Sequence, residues 1–218
     1  MVRQSAVSIP AVDSPAAFFD SVADDYDADP HHGLITDLLL AGLPGRPNAP
    51  HLLVDVATGT GVAAFAALRA LDPARVVAVD MSPRMVERAI ARAGAADPDG
   101  RIEWQVAPAV PLALPDGAAD VVLCTSALHF LGPDALHDWR RVLRPGGLVA
   151  FSIPMAADFR PSPAFRDLVP ADLTIPADSA DAARLALDAG FADVQVATSP
   201  PAEPDRPRRA FLVHAQVA

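Results

Sequence analysis

Two glycines and a later acid have the residue types and spacing of a nucleotide-binding loop. The run HLLVDVATGTGVAAF at residues 51–65 passes from an apolar segment into Gly59 and Gly61, and then into a helical pattern. From Gly59 the letters fit G-x-G-x-x-G/A, and Asp80 follows after about 20 residues, where an acid can bind the hydroxyls of a ribose. The pattern predicts a cofactor with a nucleoside end, and a nicotinamide dinucleotide would satisfy it.

A carboxylate in front of the glycines discriminates between such cofactors. Asp55 lies inside the apolar segment, on the approach to Gly59. It would repel the pyrophosphate of a dinucleotide and attract a ligand that carries an ammonium and a sulfonium group. S-adenosylmethionine is such a ligand. The residues therefore favour this cofactor, with a nicotinamide-dependent oxidoreductase as the enzymatic alternative.

The elements that must position these residues are alternating strands and helices. We expect strands at Leu52–Val56, Arg75–Asp80, Ile102–Val106, Ala119–Thr125, Leu148–Ile153, Val194–Thr198 and Ala210–Val217, and helices at Gly61–Leu71, Pro83–Ala93, Pro133–Leu143 and Ser179–Ala189. This alternation predicts right-handed crossovers and parallel strands, whereas the last two strands should pair as an antiparallel hairpin at one edge. The predicted fold class is α/β: a Rossmann-like, doubly wound, mainly parallel seven-stranded sheet with that antiparallel C-terminal hairpin.

Two local signals set the ends of these elements. Ser82 can cap a helix that starts with Pro83, where the missing N–H of proline costs nothing. The run RPGG at Arg144–Gly147 is expected to end a helix and turn the chain into the next strand.

Residues 51–218 are expected to form one cofactor-binding α/β domain. Residues 1–50 precede its first strand and are interpreted as an N-terminal helical cap segment. The proline-rich residues 154–179 are interpreted as a cap insertion. Both adjoin the carboxyl ends of strands, where open α/β sheets bind ligands, so they are expected to cover a substrate.

Composition and charge exclude several classes of partner. The net charge is -10, which argues against a nucleic-acid partner. The local basic cluster of Arg206, Arg208 and Arg209 is interpreted as a solvated loop. No set of His, Cys or carboxylate side chains has metal-ligand spacing, so we expect no metal.

We expect a cytoplasmic protein. Cys124 is the single cysteine, so an internal disulfide is excluded, and no apolar run is long enough for a membrane span. The first residues do not have the pattern of a secretory signal. The oligomeric state is open, and a homodimer is among the states that the sequence allows.

Four segments, in order along the chain, resemble the signatures of class I S-adenosylmethionine-dependent methyltransferases. They read VDVATGTG, VVAVDMSPRMVERA, LPDGAADVVLCTSALHFL and WRRVLRPGGLVAFS. The run FFDSVADDYD at residues 18–27 is similar to the F-D-x-x-A-x-x-Y-D segment of the small-molecule branch, which includes the quinone-biosynthesis C-methyltransferases. The resemblance covers residues 18–153, and ALDAGFADVQV extends it to the closing strands.

The resemblance implies transfer of a methyl group from S-adenosylmethionine to a small-molecule acceptor, apolar or aromatic, in secondary metabolism or quinone biosynthesis. An alternative from a different functional class is a protein of this fold that binds the cofactor but transfers no methyl group. The fourth strand ends without the Asn/Asp-Pro-Pro-Tyr arrangement used on nucleobases, which also argues against nucleic acid.

The family resemblance implies a role for each matching residue. Asp55, Gly59 and Gly61 would shape the loop for the methionine end, Asp80 would bind both ribose hydroxyls, and Met81 would pack on the adenine. Ala57 replaces the first glycine of the family, which is tolerated if its backbone angles are ordinary. Pro108 replaces the acid that binds the adenine amine, and the backbone amide of Ala109 remains as a contact. The predicted cofactor-binding residues are Asp55, Ala57, Gly59, Gly61, Asp80, Met81, Pro108, Ala109 and Thr125.

Methyl transfer requires alignment and a dry site, with a base only where the acceptor must lose a proton. His129 follows the fourth strand and is interpreted as the general base or an acceptor-orienting group, the alternative being a capping or solvated histidine. His31 and His32 are further catalytic candidates, and Tyr26 is a predicted substrate or lid contact. His137 is predicted to lie on the surface, and His214 to be structural.

Overall fold

A seven-stranded sheet forms the centre of the protein. The computed structural model describes residues 14–45, 47–201 and 207–218. Its strands are β1 Leu52–Val56, β2 Arg75–Asp80, β3 Ile102–Val106, β4 Ala119–Cys124, β5 Leu143–Pro154, β6 Ala192–Thr198 and β7 Ala210–Gln216. The order across the sheet is β3-β2-β1-β4-β5-β7-β6. Strands β1 to β5 pair in parallel, and β7 is antiparallel to both β5 and β6. The predicted fold class and its C-terminal hairpin are confirmed.

Helices flank the sheet and continue ahead of it. They are α1 Pro15–Val22, α2 His31–Ala41, α3 Val62–Leu71, α4 Pro83–Ala96, α5 Leu128–Leu131, α6 Asp134–Val142, α7 Pro163–Arg166 and α8 Ser179–Asp188, with a 3₁₀ turn at Tyr26–Ala28. The four predicted helices correspond to α3, α4, α6 and α8. Helices α1 and α2 lie in the segment ahead of β1, and α7 lies in the proline-rich segment after β5.

The sheet has a hydrophobic core on each face. Leu53 packs with residues of α2 and α3, whereas its neighbour Val54 packs with residues of α6 and α8. All five residues of β1 are buried, as expected for a parallel strand that helices cover on both sides. The ends of the central strands are therefore held on a rigid platform.

The predicted cap of α4 is confirmed. The Ser82 hydroxyl oxygen accepts a hydrogen bond from the Met85 amide at 3.1 Å, and Pro83 occupies the first helical position. This cap fixes the turn that follows Asp80 at the end of β2.

The predicted turn at Arg144–Gly147 is wrong, because these residues lie inside β5. The strand begins at Leu143, directly after α6. Ala119 pairs with Leu143 and Val121 with Leu148, so the four residues form an irregular section of the strand. A Cβ atom at Gly147 would lie 2.8 Å from the Arg144 carbonyl oxygen, and this close approach requires glycine.

One edge of the sheet gathers the remaining segments. The carboxyl ends of β1, β2, β4 and β5 lie at this edge, and the antiparallel strand β7 begins there. The segments around α1, the 3₁₀ turn and α7 border the cavities at this edge. Ligand sites in open α/β sheets are found at this position.

Candidate functional site

A cavity of about 110 Å³, here named the central cavity, lies at the ends of β1, β2 and β4. Five of the predicted cofactor-binding residues line it: Ala57, Gly59, Asp80, Met81 and Ala109. Pro15 and Phe19 of α1 close its other side. The sheet edge and the N-terminal helix thus form one concave site.

Asp80 anchors the loops around the central cavity. Its Oδ2 accepts a hydrogen bond from the Gly59 amide at 2.8 Å, and its Oδ1 accepts one from the Ser82 amide at 2.9 Å. Burial raises the pKa of Asp80, whereas these backbone hydrogen bonds lower it. A carboxylate has about four acceptor positions, so Asp80 retains capacity for the hydroxyls of a ligand.

Asp55 borders a separate small cavity of about 20 Å³. Its side chain is 1% exposed and accepts a hydrogen bond from the Thr58 hydroxyl at 2.6 Å. Among the described residues, no basic side chain forms an ion pair with it. Burial raises its pKa to about 7, although the hydrogen bond from Thr58 acts in the opposite direction. A buried carboxylate without a counter-charge suits a cationic ligand group.

Two hydroxyls beside Asp55 lack hydrogen-bond partners. Thr125 Oγ1 and Thr36 Oγ1 are buried, line the small cavity and are unpaired within the described part of the chain. Buried polar atoms are normally satisfied, so these two orphans point to a polar ligand group. Thr125 was predicted as a cofactor-binding residue, whereas Thr36 was missed because it lies on α2, far from the glycines in sequence.

The loop after β1 departs from ordinary backbone angles at three of its residues. Ala57 has φ 54°, in the left-handed region, as do Gly59 and Gly61 at 55° and 84°. The assumption that Ala57 has ordinary angles is therefore wrong, and an alanine there carries strain of about 1 kcal/mol. A Cβ atom at Gly61 would lie 2.7 Å from the Trp104 ring, so this glycine is required by packing and by its φ angle.

Gly61 and Pro108 do not line the three cavities described here. Pro108 is exposed in the loop after β3, whereas its neighbour Ala109 is buried and lines the central cavity. The role of Pro108 in cofactor binding stays a prediction.

A cavity of about 520 Å³, the large cavity, lies beside the central cavity. Aromatic and proline side chains make up much of its wall: Phe19, Tyr26, Phe130, Phe159, Phe165, Pro154, Pro161 and Pro207. Phe130 contacts Phe19 and Phe165 with ring centroids 5.5 and 5.7 Å apart. Its size and lining are typical of a site for a small organic ligand.

His129 lies on α5 and lines the large cavity. Its side chain is 8% exposed, and Nδ1 has no hydrogen-bond partner among the described residues. Burial, with a smaller contribution from His32, lowers its pKa to about 4. The imidazole is therefore neutral near pH 7 and can accept a hydrogen bond from a ligand. The predicted alternative of a solvated histidine is wrong for this residue.

Tyr26 and the two neighbouring histidines also reach the large cavity. The Tyr26 ring stacks on His32 with centroids 4.5 Å apart. Burial raises the pKa of the Tyr26 hydroxyl, and burial lowers the pKa of His32 to about 4. Nδ1 of His31 is a further buried nitrogen without a partner in the described structure. The structure thus brings His31, His32 and His129 to one cavity.

The basic cluster predicted to be a solvated loop lies partly in the large cavity. Arg208 and Arg209 line it, with side chains 28% and 40% exposed. Arg206 lies outside the described residues. The interpretation is wrong for Arg208 and Arg209, because antiparallel β7 starts at the edge where the parallel strands end. The predicted hairpin did not contain this signal, because it paired the last two strands with each other and left open which of them adjoins β5.

The central and large cavities share a wall. Phe19, Tyr26, Ser126 and Phe130 line both cavities. A ligand in one cavity would therefore lie next to a ligand in the other.

The other two predicted histidine positions are confirmed. His137 is exposed on α6, and His214 is buried with Nε2 at 2.8 Å from the Leu39 carbonyl oxygen. Within residues 14–45, 47–201 and 207–218, no group of three or more His, Cys, Asp or Glu side chains is arranged to hold a metal ion. In the same ranges, no helix is long and apolar enough to cross a membrane. The cytoplasmic location and the homodimer stay predictions.

A family model described as a methyltransferase domain matches residues 53–147. Residues 53–147 are therefore similar to a methyltransferase domain. The matched region extends from β1 to the irregular start of β5, so it includes the glycine loop, Asp80 and His129. The sequence resemblance to methyltransferases is confirmed.

Two curated methyltransferases are similar over this region. The chain is 40% identical to 27-O-demethylrifamycin SV methyltransferase of Amycolatopsis mediterranei, over 53% of this chain and 42% of that one. It is 34% identical to a ubiquinone/menaquinone biosynthesis C-methyltransferase of Dinoroseobacter shibae, over 59% of this chain and 54% of that one. The match thus spans about half the length of these curated relatives.

A solved methyltransferase structure resembles this fold over most of the chain. A SAM-dependent methyltransferase from Aquifex aeolicus superposes with a TM-score of 0.66, covering 91% of this chain and 98% of that chain at 18% identity. At this identity the likeness concerns the fold. S-adenosylmethionine is the cofactor of this class of methyltransferases, in agreement with the predicted cofactor.

Proposed function

We propose that this protein transfers a methyl group from S-adenosylmethionine to a small aromatic or apolar acceptor. The observation that supports this most directly is the shared wall of the central and large cavities. Transfer between two bound molecules requires adjacent sites, because the reacting atoms must meet within about 3–3.5 Å.

The residues around the small and central cavities fit the cofactor. Asp55 is a buried carboxylate that suits the cationic methionine end, and the unpaired hydroxyls of Thr36 and Thr125 suit its polar atoms. Asp80 would bind the ribose hydroxyls, and Met81 and Ala109 would contact the adenine. When bound, S-adenosylmethionine supplies an activated methyl group on a sulfonium.

The protein's own contribution is alignment and exclusion of water. The phenylalanines of the large cavity would hold an apolar acceptor against the shared wall, and Tyr26 would contact both ligands. A dry site of this kind strengthens the electrostatic interactions that guide the acceptor.

His129 would orient the acceptor by accepting a hydrogen bond at Nδ1. A base with a pKa of about 4 removes a proton only from an acceptor of similar acidity. His129 would therefore orient acceptors of ordinary acidity, and it would remove a proton only from acidic acceptors.

The N-terminal segment and the segment after β5 would act as caps, as expected from the sequence. Pro15, Phe19 and Tyr26 cover the central cavity, and Phe159 and Phe165 cover the large one. Residues 1–13 of the predicted cap lie outside the described residues.

Calorimetric titration with S-adenosylhomocysteine, beside NADH, tests the cofactor. We expect binding of S-adenosylhomocysteine alone, and a loss of at least about tenfold in affinity in Asp80→Asn, which keeps the shape of the side chain but removes its charge. Binding of NADH instead would favour an oxidoreductase. Binding of neither ligand would contradict the proposal at its first step.

A panel of small aromatic acceptors, with methyl transfer followed by mass spectrometry, tests the transfer. His129→Ala should lower kcat/KM by about 10²-fold while the affinity for S-adenosylhomocysteine is unchanged, and His129→Asn should recover part of the loss. His137→Ala is the matched control on the surface. Cofactor binding without turnover on the panel would favour a binding protein of this fold.

A further inference from the structure

Charged side chains gather at one end of the large cavity, here named the arginine end. It is formed by Asp29, Asp158, Arg160, Arg208 and Arg209. All arginines that line the three cavities lie here. Among the described residues that line this end, three positive and two negative side chains leave one positive charge, on a chain whose net charge is -10. A local excess of the opposite sign marks the arginine end as an anion-attracting surface.

Two of the arginines are held by acids of the same cavity. Arg208 donates to both carboxylate oxygens of Asp29, at 2.5 and 3.2 Å. Arg209 donates from Nε and Nη2 to the two carboxylate oxygens of Asp158, at 2.7 and 3.2 Å. Such paired contacts fix the guanidinium planes, so an incoming anion orders them at little cost.

Arg160 supplies the excess charge. Its Nη1 donates to the carbonyl oxygens of Ala156 and Phe159, at 3.3 and 3.0 Å. Within the described ranges, no carboxylate lies at ion-pair distance from it. A guanidinium has five N–H donors, so Arg160 retains several for a ligand.

Another part of the cavity wall is apolar. Phe130 contacts both Phe19 and Phe165 there, and Phe19 and Phe130 also line the central cavity. Nδ1 of His31, which also lines the large cavity, is buried without a partner among the described residues. One cavity therefore combines an apolar aromatic wall with a cationic end.

We propose that the methyl acceptor carries an anionic group, a carboxylate or a phosphate, which binds at the arginine end while the aromatic body packs against the phenylalanines. This inference rests on the proposed function, and it makes Arg160 a specificity-determining residue. Acceptors that lack the anionic group bind more weakly, because they leave the excess charge of Arg160 unused.

Three probes with one aromatic body test the inference: 2-naphthoate, 2-naphthyl phosphate and 2-naphthol. Each is titrated calorimetrically with and without saturating S-adenosylhomocysteine. We expect the anionic probes to bind about tenfold or more tightly than 2-naphthol. The tighter of the two anions identifies the group as carboxylate or phosphate. Only the anionic probes should lose affinity at high salt, since ions screen their attraction.

Arg160→Glu tests the residue, with Arg69→Glu as the matched control. Both arginines are exposed, and Arg69 lies on α3, outside the linings of the three cavities. Arg160→Glu should weaken 2-naphthoate binding by about tenfold or more and leave 2-naphthol binding unchanged, which also reports that the cavity is intact. Arg69→Glu should change neither.

The outcomes separate the inference from the proposed function. Equal affinity for 2-naphthoate and 2-naphthol, an effect of Arg69→Glu as large as that of Arg160→Glu, or no binding of any probe at about 5 mM overturns the anionic subsite. Arg160-dependent binding of 2-naphthoate without binding of S-adenosylhomocysteine supports the subsite and contradicts the methyl-transfer proposal.

Discussion

At the scale of single residues, Asp55 and Asp80 show how burial prepares a site for a ligand. Asp80 is paired with two backbone amides, whereas Asp55 accepts a hydrogen bond from Thr58 and has no cationic partner within the described structure. From this difference we propose that Asp80 holds the loops and neutral hydroxyls, and that Asp55 attracts a positive charge.

Cofactor binding should depend on pH through Asp55. Its pKa of about 7 means that the acid is partly protonated at neutral pH, and a cationic ligand binds the ionised form. The affinity for S-adenosylhomocysteine should therefore rise by up to about tenfold per pH unit below pH 7 and level off above it. Calorimetry between about pH 5.5 and 8.5, in buffers of different ionisation enthalpy, measures the proton released. Asp55→Asn should bind weakly at every pH, and absence of proton release near pH 6 would contradict the assignment.

Asp55 also makes the free energy of unfolding depend on pH. The folded protein keeps the Asp55 proton up to about pH 7, whereas the unfolded chain releases it near the ordinary pKa of about 4. The contribution of Asp55 to the free energy of unfolding is therefore full below about pH 4 and is lost as the pH rises through 7. Asp55→Asn should lack this part of the pH dependence.

Gly59 is a residue that the site needs for its backbone. Its φ is 55°, and an added Cβ would lie 3.4 Å from the Tyr26 ring. Gly59→Ala should lower the free energy of unfolding by about 1–2 kcal/mol and weaken cofactor binding, since the loop must shift. Gly33→Ala is the control, because Gly33 lies in α2 with open space around its Cβ position. That change should stabilise the protein by about 0.5–1 kcal/mol, measured by urea unfolding, and equal effects of the two changes would contradict the argument.

At the scale of elements, α4 presents a row of arginines to the N-terminal segment. Arg84, Arg88 and Arg92 are four residues apart and so share one face of the helix. Arg88 contacts Asp24 at 3.0 Å and Asp27 at 3.6 Å. Arg84 contacts Asp24 and Arg92 contacts Asp27, each at 3.2 Å. These pairs connect the cap over the central cavity to the domain.

Arg88→Glu should loosen this cap with little effect on the whole protein. Exposed ion pairs contribute about 1 kcal/mol or less, so the free energy of unfolding should change little. Hydrogen exchange in residues 15–28 should speed up by several-fold, and the affinity for S-adenosylhomocysteine should fall. Adding Asp24→Arg to Arg88→Glu should restore part of the slow exchange and part of the affinity. The control Arg184→Glu on α8 breaks an exposed pair with Asp181 and should change neither quantity. Unchanged exchange in Arg88→Glu would show that these pairs do not hold the cap.

At the scale of the whole molecule, the topology decides which distant segments share the site. Strand β7 runs antiparallel and starts beside the end of β5, so Arg209 meets Asp158 of the segment after β5. Asp29 reaches the same place from the N-terminal segment and pairs with Arg208. Together with the segment after β4, which supplies His129 and Phe130, the large cavity is thus built from four parts of the chain that are far apart in sequence.

The sequence by itself determined the sheet, its final hairpin, the four flanking helices and the position of the glycine loop. These features depend on local patterns: apolar periodicity, the Ser82 cap, and a glycine spacing that one turn must satisfy. It also marked Asp55 by its position before the glycines, Asp80 by its position at the end of the second strand, and His129 because it follows the fourth strand.

Only the tertiary structure decided which side chains have no partner and which charges meet. The irregular section at Arg144–Gly147, the orphan hydroxyl of Thr36 and the arginine end of the large cavity each depend on residues distant in sequence. Local periodicity carries no information about such contacts, since burial and pairing are set by the packing of segments against one another.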